Sequence, residues 1–152
     1  MKQLTLILMT FVFGAVVSMA DYNDTLSGSQ TAAPEAQGIA LNLTANGDLP
    51  GMNKVTLQRD GLNVTGGTWR LTVLPQNADA SSTERGNLTG TITGGTLTLT
   101  PEGTVSSASS VQITIQSGTG DYANVTAGTA TLNLSANAEN PTQLNGTLVL
   151  SF

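Results

Sequence analysis

The sequence predicts an all-β fold, a single antiparallel β-barrel of about eight short strands, with a β-sandwich as the runner-up. Three observations carry this. Apolar residues recur with a period of two from Gly38 to the C-terminus, turn residues separate the runs, and no segment keeps a 3.6-residue period. Eight or nine short strands so closely spaced must close on themselves or stack as two sheets.

The chain opens with a different kind of segment. Met1 and Lys2 give a positive start, Leu4 to Val17 is almost entirely apolar, and Ser18-Met19-Ala20 places small residues where a signal peptidase reads them. The apolar run of about 14 residues falls short of the roughly 20 that span a bilayer. Residues 1–20 are therefore expected to be a signal peptide, and the chain is expected to be exported, to the periplasm or the extracellular space. Residues 21–37 (DYNDTLSGSQTAAPEAQ) are polar, small and without periodicity, and are expected to form a flexible N-terminal segment before a barrel domain at 38–152.

Within that domain the alternation reads strand by strand. Ile39, Leu41 and Leu43 open it, followed by Val55 and Leu57, then Leu62 and Val64. Trp69, Leu71 and Val73 share one face, with Thr68, Arg70 and Thr72 on the other. Leu88 and Ile92 come next, then Leu97 and Leu99 among Thr96, Thr98 and Thr100. Val111, Ile113 and Ile115 follow, then Ala130, Leu132 and Leu134, and last Leu148, Leu150 and Phe152. Asn46-Gly47, Pro50-Gly51, Asp60-Gly61, Gly66-Gly67, Gly94-Gly95, Pro101-Glu102-Gly103 and Asn145-Gly146 read as turns, Gly94-Gly95 as the best short hairpin.

Composition excludes much chemistry. Without Cys or His there is no Ser-His-Asp or Cys-His nucleophile and no thiolate or imidazole metal site, so no metal or cofactor is expected. Once Lys2 leaves with the signal, Lys54, Arg59, Arg70 and Arg85 face ten acids, a net charge of −6 with no basic stripe. Nucleic acid is not an expected partner. Carboxylates are the remaining catalytic candidates. Asp48, Asp60, Asp79, Glu84, Glu102, Asp121 and Glu139 lie beside turn glycines or in polar loops, as solvated acids do. Asn77-Ala78-Asp79 and Asp21-Tyr22-Asn23-Asp24 are only fragments of a calcium loop. Asn-x-Ser/Thr triplets at Asn23, Asn42, Asn63, Asn87, Asn124, Asn133 and Asn145 read as outward strand positions.

One stretch is more specific. Ser117-Gly118-Thr119-Gly120-Asp121-Tyr122, followed by Gly128 opening an alternating strand, resembles the late hairpin of the allene oxide cyclase and dirigent-like β-barrels. The resemblance covers about 16 residues and implies an eight-stranded antiparallel barrel that forms a homo-oligomer. It also implies that Gly118, Gly120, Tyr122 and Gly128 form a structural corner, the aromatic plugging the barrel. The family's catalytic positions find no match. As Gly-x-Gly-x-x-Ala the same residues lack the following helix that a nucleotide site needs.

Trp69, Arg70 and Tyr122 are the candidate ligand-binding residues. Trp69 is expected in the core more than on a stacking platform, and the Tyr122 hydroxyl is expected to reach a backbone group or water at the barrel end. The functional expectation is a non-catalytic binding or cell-surface structural module, for a small apolar or phenolic ligand or a protein partner. The alternatives are a barrel cyclase or isomerase acting on a reactive hydrophobic substrate, and a small outer-membrane barrel. The last would need strands of about 10 residues and aromatic girdles that so few aromatics do not supply. Intact-mass measurement of the exported protein is expected to give a chain beginning at Asp21; a product retaining Met1 contradicts the signal assignment.

Overall fold

Eight strands, each antiparallel to the next and the last paired with the first, close into an up-and-down barrel. The computed structural model describes residues 20–31, 38–140 and 142–152. The strands are β1 (Asp21–Gln30), β2 (Gly38–Gly47), β3 (Gly51–Asp60), β4 (Asn63–Val73), β5 (Gly86–Thr96), β6 (Ser109–Gly118), β7 (Gly128–Ala136) and β8 (Gln143–Ser151). The expected signal peptide lies outside the described residues except for Ala20.

The expected flexible segment is corrected by β1. Asp21–Gln30 is a full stave, in register with β8 from Asp21↔Ser151 to Ser29↔Gln143 and with β2 from Asp24↔Gly47 to Gln30↔Leu41. Its sequence looks irregular because its inward positions are Tyr22, Asp24, Leu26, Gly28 and Gln30, among which Leu26 is the one aliphatic side chain. Backbone pairing on both edges holds it where hydrophobic patterning does not. Residues 32–37 of that segment lie outside the described residues.

Elsewhere the period-two pattern sorts side chains as expected. Leu41, Leu43, Leu57, Leu71, Leu88 and Ile115 are fully inside, as are Leu132, Leu148 and Leu150. The outward positions are mostly hydroxyls and amides. Thr56, Thr68, Thr91, Thr114 and Thr129 stand directly opposite one another across β3 to β7, forming a threonine row around more than half of the wall.

Gly94-Gly95 does not turn the chain. Both lie inside β5, opposite Gln112 and Val111, where the register with β6 slips. Gly95 has φ +145, and a Cβ there would run into the Ser110 carbonyl. The pair makes a bulge that bends the strand around the barrel, whereas a two-residue hairpin would have ended it. Gly66-Gly67 does the same in β4, where the register with β3 slips between Gln58 and Arg59. Asn145-Gly146 likewise lies within β8. Leu62 stands in the β3–β4 turn, 53% exposed.

Leu97 and Leu99 are not on a barrel strand. Residues 97–108, between β5 and β6, cross the end of the barrel where β1 finishes, with an isolated bridge Leu99↔Val105. Leu97 and Val105 are fully buried as a cap and Leu99 is half-buried against it. Two attachments hold the cap down. Leu97 N–H donates to the Leu62 carbonyl, and the Gln30 amide both accepts from Val105 N–H (2.7 Å) and donates to its carbonyl (3.2 Å). Leu148→Ala is expected to cost about 2–5 kcal/mol in chemical denaturation, as for a fully buried leucine; a cost well under 1 kcal/mol would place β8 in the wrong register.

Candidate functional site

The structure distributes Trp69, Arg70 and Tyr122 over three environments and brings no two of them into one site. Trp69 points into the lumen, 2% exposed, and its indole N–H donates to Asn53 Oδ1 at 2.9 Å. It is a core residue with its polar handle satisfied inside the barrel, and a stacking platform would need an open ring face. Asn53 is equally buried, and its Nδ2 has no hydrogen-bond partner. The Val55/Leu57 alternation already places Asn53 on the inward face of β3; the structure pairs Asn53 with Leu71 and Trp69 with Val55, so that the indole reaches Asn53 diagonally.

Tyr122 closes the end where β1 begins. Gly118 ends β6, and a single 3-10 turn (Gly120–Tyr122) carries the ring back over the lumen. Gly120 has φ +60, and a Cβ would meet the Arg85 carbonyl, which also accepts from Asp121 N–H at 2.9 Å. Side chains at Gly118 and Gly128 would collide with the Tyr122 carbonyl and with Ser151 and Phe152 respectively. The corner is thus built by close backbone approach. The Tyr122 ring meets Phe152 edge-on at 6.2 Å, and Phe152 stacks on Tyr22 at 4.7 Å. Arg85, paired with Asp121 at 3.0 Å, lies 5.7 Å from the Tyr122 ring centre.

The expected bond from the Tyr122 hydroxyl to a backbone group does not form: Oη is buried with no partner among the described residues. Burial pushes the phenol above its ordinary value, with Arg85 pulling it the other way.

Among the described residues Asp24 is the buried carboxylate, 4% exposed on the inner face of β1. Its Oδ1 accepts from Leu49 N–H at 2.9 Å, while Oδ2 has no partner. Nearby, Asn23 N–H donates to Asp48 Oδ2 (2.9 Å) and Asp48 N–H to the Asn23 carbonyl (3.2 Å). These bonds clamp the β2–β3 turn onto β1. Burial raises the Asp24 carboxyl above the ordinary carboxylate range, and Asp48 adds to the rise; the Leu49 and Asp48 N–H groups oppose it. The carboxylate nearest in charge to Asp24 is Asp48, whose Oδ2 is already taken by Asn23 N–H. No group of three or more His, Cys, Asp or Glu among the described residues could hold a metal.

Arg70 is on the outer wall. Its Nε donates to Asn87 Oδ1 at 2.9 Å, the same oxygen that accepts from Thr72 Oγ1 at 2.7 Å. Asn87 Nδ2 reaches Glu84 Oε1 (3.3 Å), and Thr119 Oγ1 accepts from Asn87 N–H (3.1 Å). Asn87 is therefore buried although it faces outward, the exception among the seven Asn-x-Ser/Thr asparagines; the other six are exposed. Sequence reasoning missed this hub because its members come from β4, the β4–β5 connection, β5 and the β6–β7 corner.

Clefts occur on the wall and rim. One of about 390 Å3 crosses β6, β7 and β8, and one of about 370 Å3 lies between the β2–β3 turn and the chain after β4. Another, of about 370 Å3, follows the β1–β8 seam, and one of about 170 Å3 lies among Met52, Lys54, Arg70 and Thr72. Comparison with known proteins finds no matching family model, no matching curated protein and no matching solved structure.

Two outcomes test this geometry. Tyr122→Phe removes a buried, unpartnered hydroxyl and is expected to be neutral or slightly stabilising, within about 0.5 kcal/mol, where a bonded hydroxyl would cost about 1. Gly120→Val is expected to cost more than about 1 kcal/mol through its positive φ. For Asp24, a folded-state pKa above the unfolded one means that its contribution to stability is fully present below the ordinary carboxylate value of 3.8 and is lost as pH rises through the raised value. Asp24→Asn keeps the acceptor for Leu49 and removes that loss. Its stability relative to the natural protein is expected to improve as pH rises from about 3.5 and then level off; a difference independent of pH would show that Asp24 is not desolvated.

Proposed function

We propose that the protein is an exported, non-catalytic barrel that serves as a binding or cell-surface structural module and meets its partners on the outer wall. The observation that carries this reading is the division between a lumen filled by packed aliphatic side chains around Trp69 and a wall made mostly of hydroxyls and amides with few charges. A cyclase or isomerase needs an apolar cavity of several hundred Å3 with polar groups converging inside it. The clefts of that size described here lie on the wall and rim. The filled lumen also favours a wall-bound partner over an apolar or phenolic ligand held inside.

An outer-membrane barrel has apolar side chains facing out and polar ones facing in. The arrangement here is the reverse, and the exposed large apolar side chains Met52, Leu62 and Val149 stand singly on β3, the β3–β4 turn and β8. The eight antiparallel strands and the Gly118–Tyr122 corner support the likeness to the allene oxide cyclase and dirigent-like barrels as a likeness of architecture. A homo-oligomer belongs to that likeness and is part of the proposal.

Trp69, the single tryptophan, reports directly on the lumen. Phenols and fatty acids added to the mature protein are expected to leave its emission unchanged, produce no saturable thermal shift and be recovered unaltered. A ligand that shifts Trp69 emission at stoichiometric concentration, or that is turned over, would overturn the reading.

A further inference from the structure

We propose that Lys54 and Arg70 form an anion-binding cleft on the outer wall that takes the carboxylate of an acidic sugar. This inference rests on the reading of the wall as the binding surface. Lys54 and Arg70 are directly opposite across β3 and β4. Two like charges so placed, with Cβ atoms about 5 Å apart, destabilise a sheet unless something neutralises them. Among the described residues no ion pair within 4 Å engages either one, whereas Arg85 is paired with Asp121. Between them lies the cleft of about 170 Å3, completed by Met52 and Thr72.

Arg70 is held ready for a ligand. Asn87 takes its Nε, and Thr72 and Glu84 fix Asn87 in turn, so the guanidinium is oriented while its terminal NH2 groups remain for a planar carboxylate. The volume suits a single carboxylate-sized group. On the same cross-strand row, flanking the cleft, Asn42 adjoins Lys54 and Thr89, whose hydroxyl is bonded to Ser117 at 2.7 Å, adjoins Arg70, so that Asn42 offers an amide to a sugar hydroxyl. Met52, 45% exposed, offers an apolar surface to the ring C–H face. The Glu84 carboxylate, attached beyond Asn87, is the group that competes with a bound anion.

The test is a titration of the 15N-labelled mature protein with D-glucuronate, followed by amide chemical shifts at constant ionic strength. Glucose, acetate and inorganic phosphate are run in parallel. Glucuronate is expected to move the Lys54, Arg70 and Thr72 amides saturably while glucose does not. Lys54→Gln and Arg70→Gln, both at exposed positions, are each expected to weaken binding about tenfold, and Glu84→Gln to tighten it. No saturable shift, or undiminished binding by Arg70→Gln, overturns the site. Equal affinity for acetate overturns the sugar assignment, and equal affinity for phosphate overturns the carboxylate assignment. Shifts centred on the Trp69 indole N–H, or conversion of the glucuronate, would overturn the filled-lumen reading instead.

Discussion

Closure of the sheet by β1 is the constraint on which the other features depend. Without it β2 and β8 would both present open edges, and the lumen would lie open along one side. β1 is the most polar stave of the barrel, and its inward side chains do something other than fill space. Asp24 binds Leu49 N–H at one end, and Gln30, six residues on along the same face, binds both backbone groups of Val105 at the other. The strand that closes the wall therefore also fastens the β2–β3 turn and the 97–108 cap. Tyr22, two residues before Asp24, stacks on Phe152 and ties the aromatic plug to the same stave.

A closed barrel of eight strands has an interior just wide enough for side chains to fill or for one small ligand. Here the inward residues do fill it, with Trp69 held by Asn53 and caps at both ends. That packing stabilises the fold. On the proposed reading, what distinguishes one partner from another lies on the wall, where charge is scarce and side chains are short. In such a setting an unpaired Lys54–Arg70 couple is a strong local feature, because few neighbouring charges offset it.

Much of the barrel was legible in the sequence. Leu71, Ile113 and Leu132 fell on the inner face because a period of two with one face buried admits a single register. Gly118, Gly120 and Tyr122 stood out in the sequence through a resemblance, whereas the positive φ of Gly120 is visible only in the structure. β1 was not legible: its inward Asp24, Gly28 and Gln30 carry no hydrophobic signal, and its place is fixed by backbone pairing with strands distant in sequence. Gly66-Gly67 and Gly94-Gly95 were misread because a double glycine serves a bulge as readily as a turn, and the two differ only in whether the next residues keep pairing. The Asn87 hub and the Lys54–Arg70 opposition were invisible for a related reason, since both exist only once the register of neighbouring strands is set.

Native-state hydrogen exchange on β1 tests this most directly. If β1 closes the barrel, the amides of Leu26 and Gly28 open only with the whole structure, and their protection should match that of Leu132 and Leu134 in β7 within about tenfold. Asp24→Asn should preserve that protection, since the acceptor for Leu49 N–H survives. Exchange of the β1 amides at the rate of exposed loops, with β7 still protected, would mean that the sheet is open between β8 and β2 and that the lumen is not sealed.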